Sequence, residues 1–308
     1  MQTVLITGGT GLVGKALTKA LTAKGYNVII LTRNLPKENP GVSTVNYAVW
    51  NVKEQTIDIA AVQKANFILH LAGAGVVAKK WTAAYKKEIQ DSRTNSSELL
   101  VNTLKNNPNN IKTLVCASAI GWYGADKFPV KPFLETDIAD NAFLGETCRL
   151  WEESIEPVTA LGKRLVKLRT GIVLSNDGGA LAEFKKPLIG GIAAILGSGK
   201  QVVSWIHIDD LCRMYIDAIE NEQLDGVYNA VAPAPVTNKK LTLVLAKQLK
   251  GSFFISIHVP KLILEIMMGD RSIEVLKSST VSCDKMQRTG FTFLYPTIEK
   301  ALSHSNLS

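Results

Sequence analysis

The segment from Thr3 to Lys15 constrains this chain more than any other. Thr3-Val4-Leu5-Ile6-Thr7 is a short apolar, β-branched run, Gly8-Gly9-Thr10-Gly11 follows at once, and Leu12-Val13-Gly14-Lys15 opens an amphipathic stretch. Leu12, Val13, Ala16, Leu17, Ala20 and Leu21 then recur at helical spacing, and Gly25 stands where a helix ends. In a strand, glycine turn and helix arranged in that order, the helix offers its free N–H groups and positive dipole end to an anion. Gly8 permits the tight turn, Gly11 has no Cβ to block a phosphate, and Gly14 lets the helix close on the sheet. A glycine triplet alone is weak evidence. With a strand before it and a helix after it, the pattern points to a dinucleotide pyrophosphate cradled by Gly8, Thr10, Gly11, Leu12, Val13 and Gly14.

The end of the second predicted strand, Val28-Ile29-Ile30-Leu31-Thr32-Arg33, selects among dinucleotides. About 20 residues past the glycines, an acidic side chain would hold a ribose 2′-hydroxyl and repel a 2′-phosphate. Thr32 and Arg33 occupy that place instead. A guanidinium binds phosphate through charge-assisted, bidentate hydrogen bonds, so the expected cofactor is NADP(H).

The rest of the chain supplies a large core. Among 308 residues, 46% are hydrophobic and 20% charged, the balance of a globular protein. Segments of strand and helix character alternate: strands near 3–7, 27–32, 44–49, 66–71, 112–118 and 164–169, helices near 12–24, 57–64, 81–106 and 141–162. The expected class is α/β, a Rossmann-type doubly wound parallel sheet over 1–170, with a smaller C-terminal substrate-side domain over most of 171–308. A helix near 209–221 is expected to return to the sheet. No apolar stretch is long enough to span a bilayer, and the first strand begins at once, so no membrane contact and a cytoplasmic location are expected. Four isolated cysteines fit reduced thiols. The net charge of +8 comes from scattered lysine pairs without interleaved aromatics, which argues against nucleic acid.

Later motifs resemble the extended branch of the short-chain dehydrogenase/reductases, the branch of the nucleotide-sugar epimerases. Leu69-His70-Leu71-Ala72-Gly73 is similar to the segment passing the adenosine half of the cofactor, which implies a role for Leu71, Ala72 and Gly73. Cys116 to Gly124 resembles the segment carrying the active-site Ser, and Arg169 to Leu174 resembles the strand end beside the nicotinamide. Trp81-Thr82, Lys87 to Arg93, Trp151-Glu152, Asp177-Gly178-Gly179-Ala180 and Trp205-Ile206-His207 are similar to an atypical group called epimerase family proteins. Its C-terminal module resembles Pro260 through Tyr295-Pro296. In that group Thr32, Arg33, Leu71, Ala72, Glu88, Arg93 and Val173 fall at cofactor contacts. Arg93 also makes sense by itself as a cation for phosphate.

The chemistry of the superfamily rests on a Tyr with a Lys one helical turn later, a pair that lowers the phenol pKa. With Glu152 aligned to the downstream acid, Leu144 takes the Tyr position and Cys148 the Lys position. Tyr123 and Lys127 have the right spacing, but Gly124 and the nearness of Ser118 make that stretch a loop after the fifth strand. The remaining catalytic candidates are Ser118 as a hydrogen-bonding group, Tyr123 lining the nicotinamide side, and His207 paired with Asp209 on one strand face. Trp122, Trp151 and Trp205 serve either a pocket floor or the core.

These features imply an NADP(H)-binding oxidoreductase or epimerase-like enzyme with non-standard acid/base residues acting on a small molecule. The alternative is a non-catalytic NADP(H) sensor that works through a protein partner. By analogy with extended relatives, a homodimer would pair the helices near 81–106 and 141–162.

Overall fold

Every residue of β1 (Thr3–Thr7) after Thr3 is buried, as expected of a central parallel strand covered on both faces. The computed structural model describes residues 1–36 and 44–303. The last five residues of the expected C-terminal part therefore lie outside the described residues. After β1 come α1 (Leu12–Ala23), β2 (Asn27–Thr32), β3 (Val45–Asn51), β4 (Thr56–Ile57), α2 (Ile59–Lys64) and β5 (Phe67–His70). Then follow α3 (Ala83–Asn106), β6 (Thr113–Ala119), α4 (Phe143–Ile155) and β7 (Arg164–Thr170). The expected helix over 141–162 is thus two pieces. Pro157 stands two residues past the α-helix, and Glu156–Leu161 continues as a tighter 3₁₀ turn ending at Gly162.

The second half contains β8 (Ile172–Ser175), β9 (Gly178–Gly179), α5 (Ala180–Ile189), β10 (Ile192–Leu196), β11 (Val202–Val203) and β12 (Trp205–His207). It continues through α6 (Ile208–Glu220), β13 (Gly226–Ala230), β14 (Val236–Thr237), α7 (Asn238–Lys250), β15 (Ile255–Val259) and α8 (Lys261–Met268). The main sheet runs β13-β7-β6-β5-β1-β2-β3-β4, parallel except for the short edge strand β4.

Alternation along the strands separates two cores. Val4, Ile6, Val28, Ile30, Leu69, Val115 and Val166 face α1 and α6. Leu5, Ile29, Ile68, Leu114 and Leu165 face α2, α3 and α4. The structure has the doubly wound architecture, and α6 returns to the sheet through Leu211, Met214, Tyr215 and Ala218. The sheet also recruits β13 from well beyond residue 170, which the strand signals of the first half do not reveal.

Asp210 fixes the end of the chain to this frame. It is fully buried at the start of α6 and accepts the Leu294 and Tyr295 backbone N–H groups at 2.8 and 2.9 Å. Arg213, one turn on, pairs with it at 2.9 Å and reaches the Thr292 carbonyl.

Candidate cofactor and active site

The glycine turn has the shape its sequence demands. Gly8 sits at φ +70°, and Gly11 N–H donates to the Gly8 carbonyl at 3.1 Å. A Cβ on Gly14 would stand 2.4 Å from the Gly8 carbonyl oxygen and 2.5 Å from Gly9 Cα, so only glycine closes helix on turn. Gly11 begins α1 without a side-chain cap, and the first N–H groups of the helix are left for a ligand. Thr10 and Gly11 are exposed, while Leu12 and Val13 are half-buried. From the other side the β9 turn closes in, with Gly179 against the Leu12 side chain. This cradle, open at Gly11 and too tight for any side chain at Gly14, fits a dinucleotide pyrophosphate. Thr32 and Arg33 lie exposed or half-buried at the end of β2, and Thr32 Oγ1 donates to the Asn34 carbonyl at 3.0 Å.

Beside the turn, a buried hydrogen-bond chain shapes the loop after β5. Thr7 Oγ1 accepts N–H groups from Leu71 and Ala72, both at 3.1 Å, so its hydroxyl donates to His70 Nδ1 at 2.7 Å. That assigns the Nε2–H tautomer to His70, which donates to Ser97 Oγ at 3.1 Å. Gly73 admits Arg93, whose guanidinium carbon would lie 2.9 Å from a Cβ at that position. Arg93 Nη1 donates to the Ala74 and Ile89 carbonyls, and its guanidinium lies 4.9 Å from the Trp151 ring centroid. Arg93 is thus tied to Ala74, the residue that follows the Leu71–Gly73 loop. Glu88 is exposed and pairs with Lys79 at 3.3 Å, and Val173 packs half-buried against the α1–α6 core.

Burial lowers the His70 pKa to about 3, with the Arg93 charge adding to the effect. In the unfolded chain the ordinary value is about 6.5. Between these two pH values the unfolded state holds one more proton, so His70 reduces stability as pH falls through that window and contributes no slope above it. The acid-side slope of unfolding free energy should be about 1.4 kcal/mol per pH unit shallower in His70→Gln, as chemical denaturation between pH 6.5 and 4 would reveal.

At the C-terminal ends of β6, β7 and β13, Ser118, Arg169 and Asn229 stand in one register row on the face covered by α4. Glu152 descends from α4 and closes the row. It accepts Ser118 Oγ at 2.7 Å and two bonds from Arg169, at 2.8 and 3.0 Å. Arg169 also donates to the Tyr123 hydroxyl at 3.0 Å, and Tyr123 donates to Asn229 Oδ1 at 2.6 Å. The guanidinium lies 3.6 Å from the Trp122 ring centroid. Burial pushes the Tyr123 hydroxyl up to about 12, even though Arg169 and its hydrogen bonds pull the other way. Ser118 and Tyr123 are thus brought together, but as members of a saturated buried network. Nothing in the sequence motifs announces the pairing of Glu152 with Arg169. The usable signal is a pair of cations, Lys167 and Arg169, inside a strand that must be covered on both faces.

The helix expected to carry a Tyr/Lys pair presents an apolar wall. Leu144 and Cys148 of α4 face Gly121, whose Cβ would come within 3.2 Å of Leu144. Burial raises the Cys148 thiol to about 11, with Glu152 adding to the effect, which keeps it protonated and unreactive at neutrality. All four cysteines are buried and unbridged. Trp205 belongs to the core, with Nε1 donating to the Ala234 carbonyl.

His207 and Asp209 do not share a strand face. The strand ends at His207, and Asp209 lies in the first turn of α6, because His207 serves as the N-cap: its Nδ1 accepts the Asp209 N–H at 3.2 Å. The Asp209 carboxylate stands 3.5 Å from the same nitrogen and accepts the Tyr295 hydroxyl at 3.2 Å. The His207 and Tyr295 rings lie 3.8 Å apart. His207 pairs with Leu174 of β8, which pairs with Gly179, where a Cβ would lie 3.0 Å from the Leu12 side chain of the phosphate turn. Histidine and cradle are thus linked by one row of the small β12-β8-β9 sheet.

Comparison with known proteins agrees with this geometry. The NAD dependent epimerase/dehydratase family matches residues 4–149, and a domain of unknown function, DUF1731, matches 259–305. Epimerase family protein SSP1921 of Staphylococcus saprophyticus is 35% identical over 98% of both chains. Epimerase family protein Mb2239 of Mycobacterium bovis is 32% identical over 98% of this chain and 97% of its own. Among solved structures, human epimerase family protein SDR39U1 (isoform 2) with NADPH superposes with a TM-score of 0.85 at 27% identity, covering 99% of this chain and 100% of that one. With an intact dinucleotide turn and no Tyr/Lys pair on α4, this chain belongs to the epimerase family proteins, an atypical group of the extended short-chain dehydrogenase/reductases.

Proposed function

We propose that this protein is an NADP(H)-dependent oxidoreductase that reduces an apolar carbonyl compound, with His207 in place of the missing tyrosine. The observation carrying this reading is the β12-β8-β9 row, which ties a half-buried histidine to the phosphate cradle. A bound nicotinamide supplies the hydride. The chain's own residues bind the pyrophosphate at Gly8–Gly14, wall the site with Leu144 and hold a proton near His207. Asp209 orients the imidazole and Tyr295 orients Asp209. Tyr123 is the weaker proton donor of the two, because its hydroxyl is already given to Asn229. Ser118 is likewise given to Glu152.

NADPH deuterated at its transferable position, mixed with the protein and a metabolite extract, tests this by mass spectrometry. A metabolite gaining one deuterium establishes the reductase, and its loss in His207→Ala places the proton. Tight cofactor binding with no label transferred would instead support the sensor reading.

The cofactor assignment rests on Arg33 and on the NADPH held by the human relative. Arg33→Ala is expected to weaken NADPH binding by about tenfold to a hundredfold and leave NADH binding unchanged, as measured by calorimetric titration.

A further inference from the structure

The exposed apolar surface of this protein is not evenly spread. Eight of the nineteen large apolar side chains exposed among the described residues fall between Phe253 and Ile273. They include Ile255 and Ile257 on β15 and Leu262, Ile266 and Met267 on α8, a helix that buries only Leu264. A helix exposing apolar side chains on this scale is completed by a partner.

Beside it, among the described residues, β15 has one free edge. It pairs in parallel with β10 alone among them, in a sheet of two strands. Ile255 N–H donates to the Gly191 carbonyl, and the Val259 carbonyl accepts from Gly197, so residues 255, 257 and 259 direct their backbone groups to β10. Ser256 and His258 consequently direct theirs outward. An apolar bilayer leaves such groups unsatisfied. A strand satisfies them.

We infer that this face is a twofold interface between two copies of the chain, formed by antiparallel pairing of β15 with itself about Ile257. The register is self-complementary: Ser256 of each copy lies opposite His258 of the other, giving four backbone hydrogen bonds. Ile257 meets its own copy in the close pair at the axis, and Ile255 and α8 extend the contact. The eight residues, 45% to 88% exposed, offer roughly 1,000 Å² per chain, against about 800 Å² per partner in a standard interface. The outer surfaces of α3 and α4, where analogy would place a dimer, instead carry ion pairs such as Lys87–Asp91 and Arg149–Glu153, and no exposed large apolar side chain belongs to either helix.

Sedimentation velocity of the full chain at micromolar concentration tests this. Wild type should sediment as a dimer. Ile257→Lys sets two like charges against each other at the axis and should raise the dissociation constant by about a hundredfold or more. Ser256→Pro removes an outward N–H while sparing the bonds to β10, and should weaken the dimer as well. Ile138→Lys, at another exposed apolar position, should leave the mass unchanged. Circular dichroism and retained NADPH binding show that each variant is folded. In the dimer the Ser256 and His258 amides should exchange slowly and become fast on dilution. A wild-type monomer at tens of micromolar overturns the inference. So does a dimer indifferent to Ile257→Lys, and so does a monomer that binds anionic phosphatidylserine vesicles through this face.

Discussion

Gly14→Val is expected to abolish dinucleotide binding and to lower stability by about 3 kcal/mol or more. The cause lies in the backbone: a Cβ at this position falls 2.4 Å from the Gly8 carbonyl oxygen and 2.7 Å from Gly9 C. No rotamer change relieves a contact with main-chain atoms, so either the turn opens or α1 moves away from the sheet. Gly11→Val separates folding from binding. Gly11 has an ordinary φ of −78°, and its Cβ meets only the Gly8 carbonyl at 3.3 Å. The Gly11 variant should therefore melt near the wild-type temperature while losing NADPH by a hundredfold or so, because its side chain occupies the space of the phosphates. Thermal melts and calorimetric titration of both variants check this. Equal NADPH affinity in Gly11→Val and wild type would remove the cradle from the cofactor site.

Most of the frame was legible because its signals are local. The alternation of Val4 and Ile6 with Leu5 specifies two buried faces, and the glycine turn specifies what lies at the strand ends. The site was less legible because it is assembled from distant residues. Strand spacing put His207 and Asp209 on one face, but the chain changes from strand to helix between them, and the imidazole becomes a cap. Arg93 reads as a phosphate cation, and its packing beside Gly73 and Trp151 shows only in the fold. Ser118 reads as a hydrogen-bonding group, and its partner Glu152, 34 positions away, shows only in the fold. Asn229 joins the row only because β13 pairs with β7, a contact no motif in the sequence encodes.

Removing the Glu152 charge is the second large effect expected. Arg169 is buried, which disfavours its charge, and the Glu152 carboxylate together with the Tyr123 hydroxyl more than offsets that cost. Glu152→Met leaves that cation among Trp122, Tyr123 and apolar neighbours, and should cost about 3–5 kcal/mol. Adding Arg169→Met should recover part of the loss, since a buried pair replaced by apolar groups of similar size is often close to neutral. A double variant as unstable as Glu152→Met alone would show that the guanidinium is not the stranded charge. Ser118→Ala tells scaffold from catalyst at the same place. As one hydrogen bond to a carboxylate, Ser118 should contribute about 1.5–3 kcal/mol to stability, visible in urea denaturation, and turnover of any substrate found should fall little. If Ser118 instead binds substrate, turnover collapses while the denaturation midpoint stays in place. The saturated bonding of Glu152 by Ser118 and Arg169 argues for the first outcome, because a hydroxyl pointed at a buried carboxylate must give up a charge-assisted bond before it can turn to a ligand.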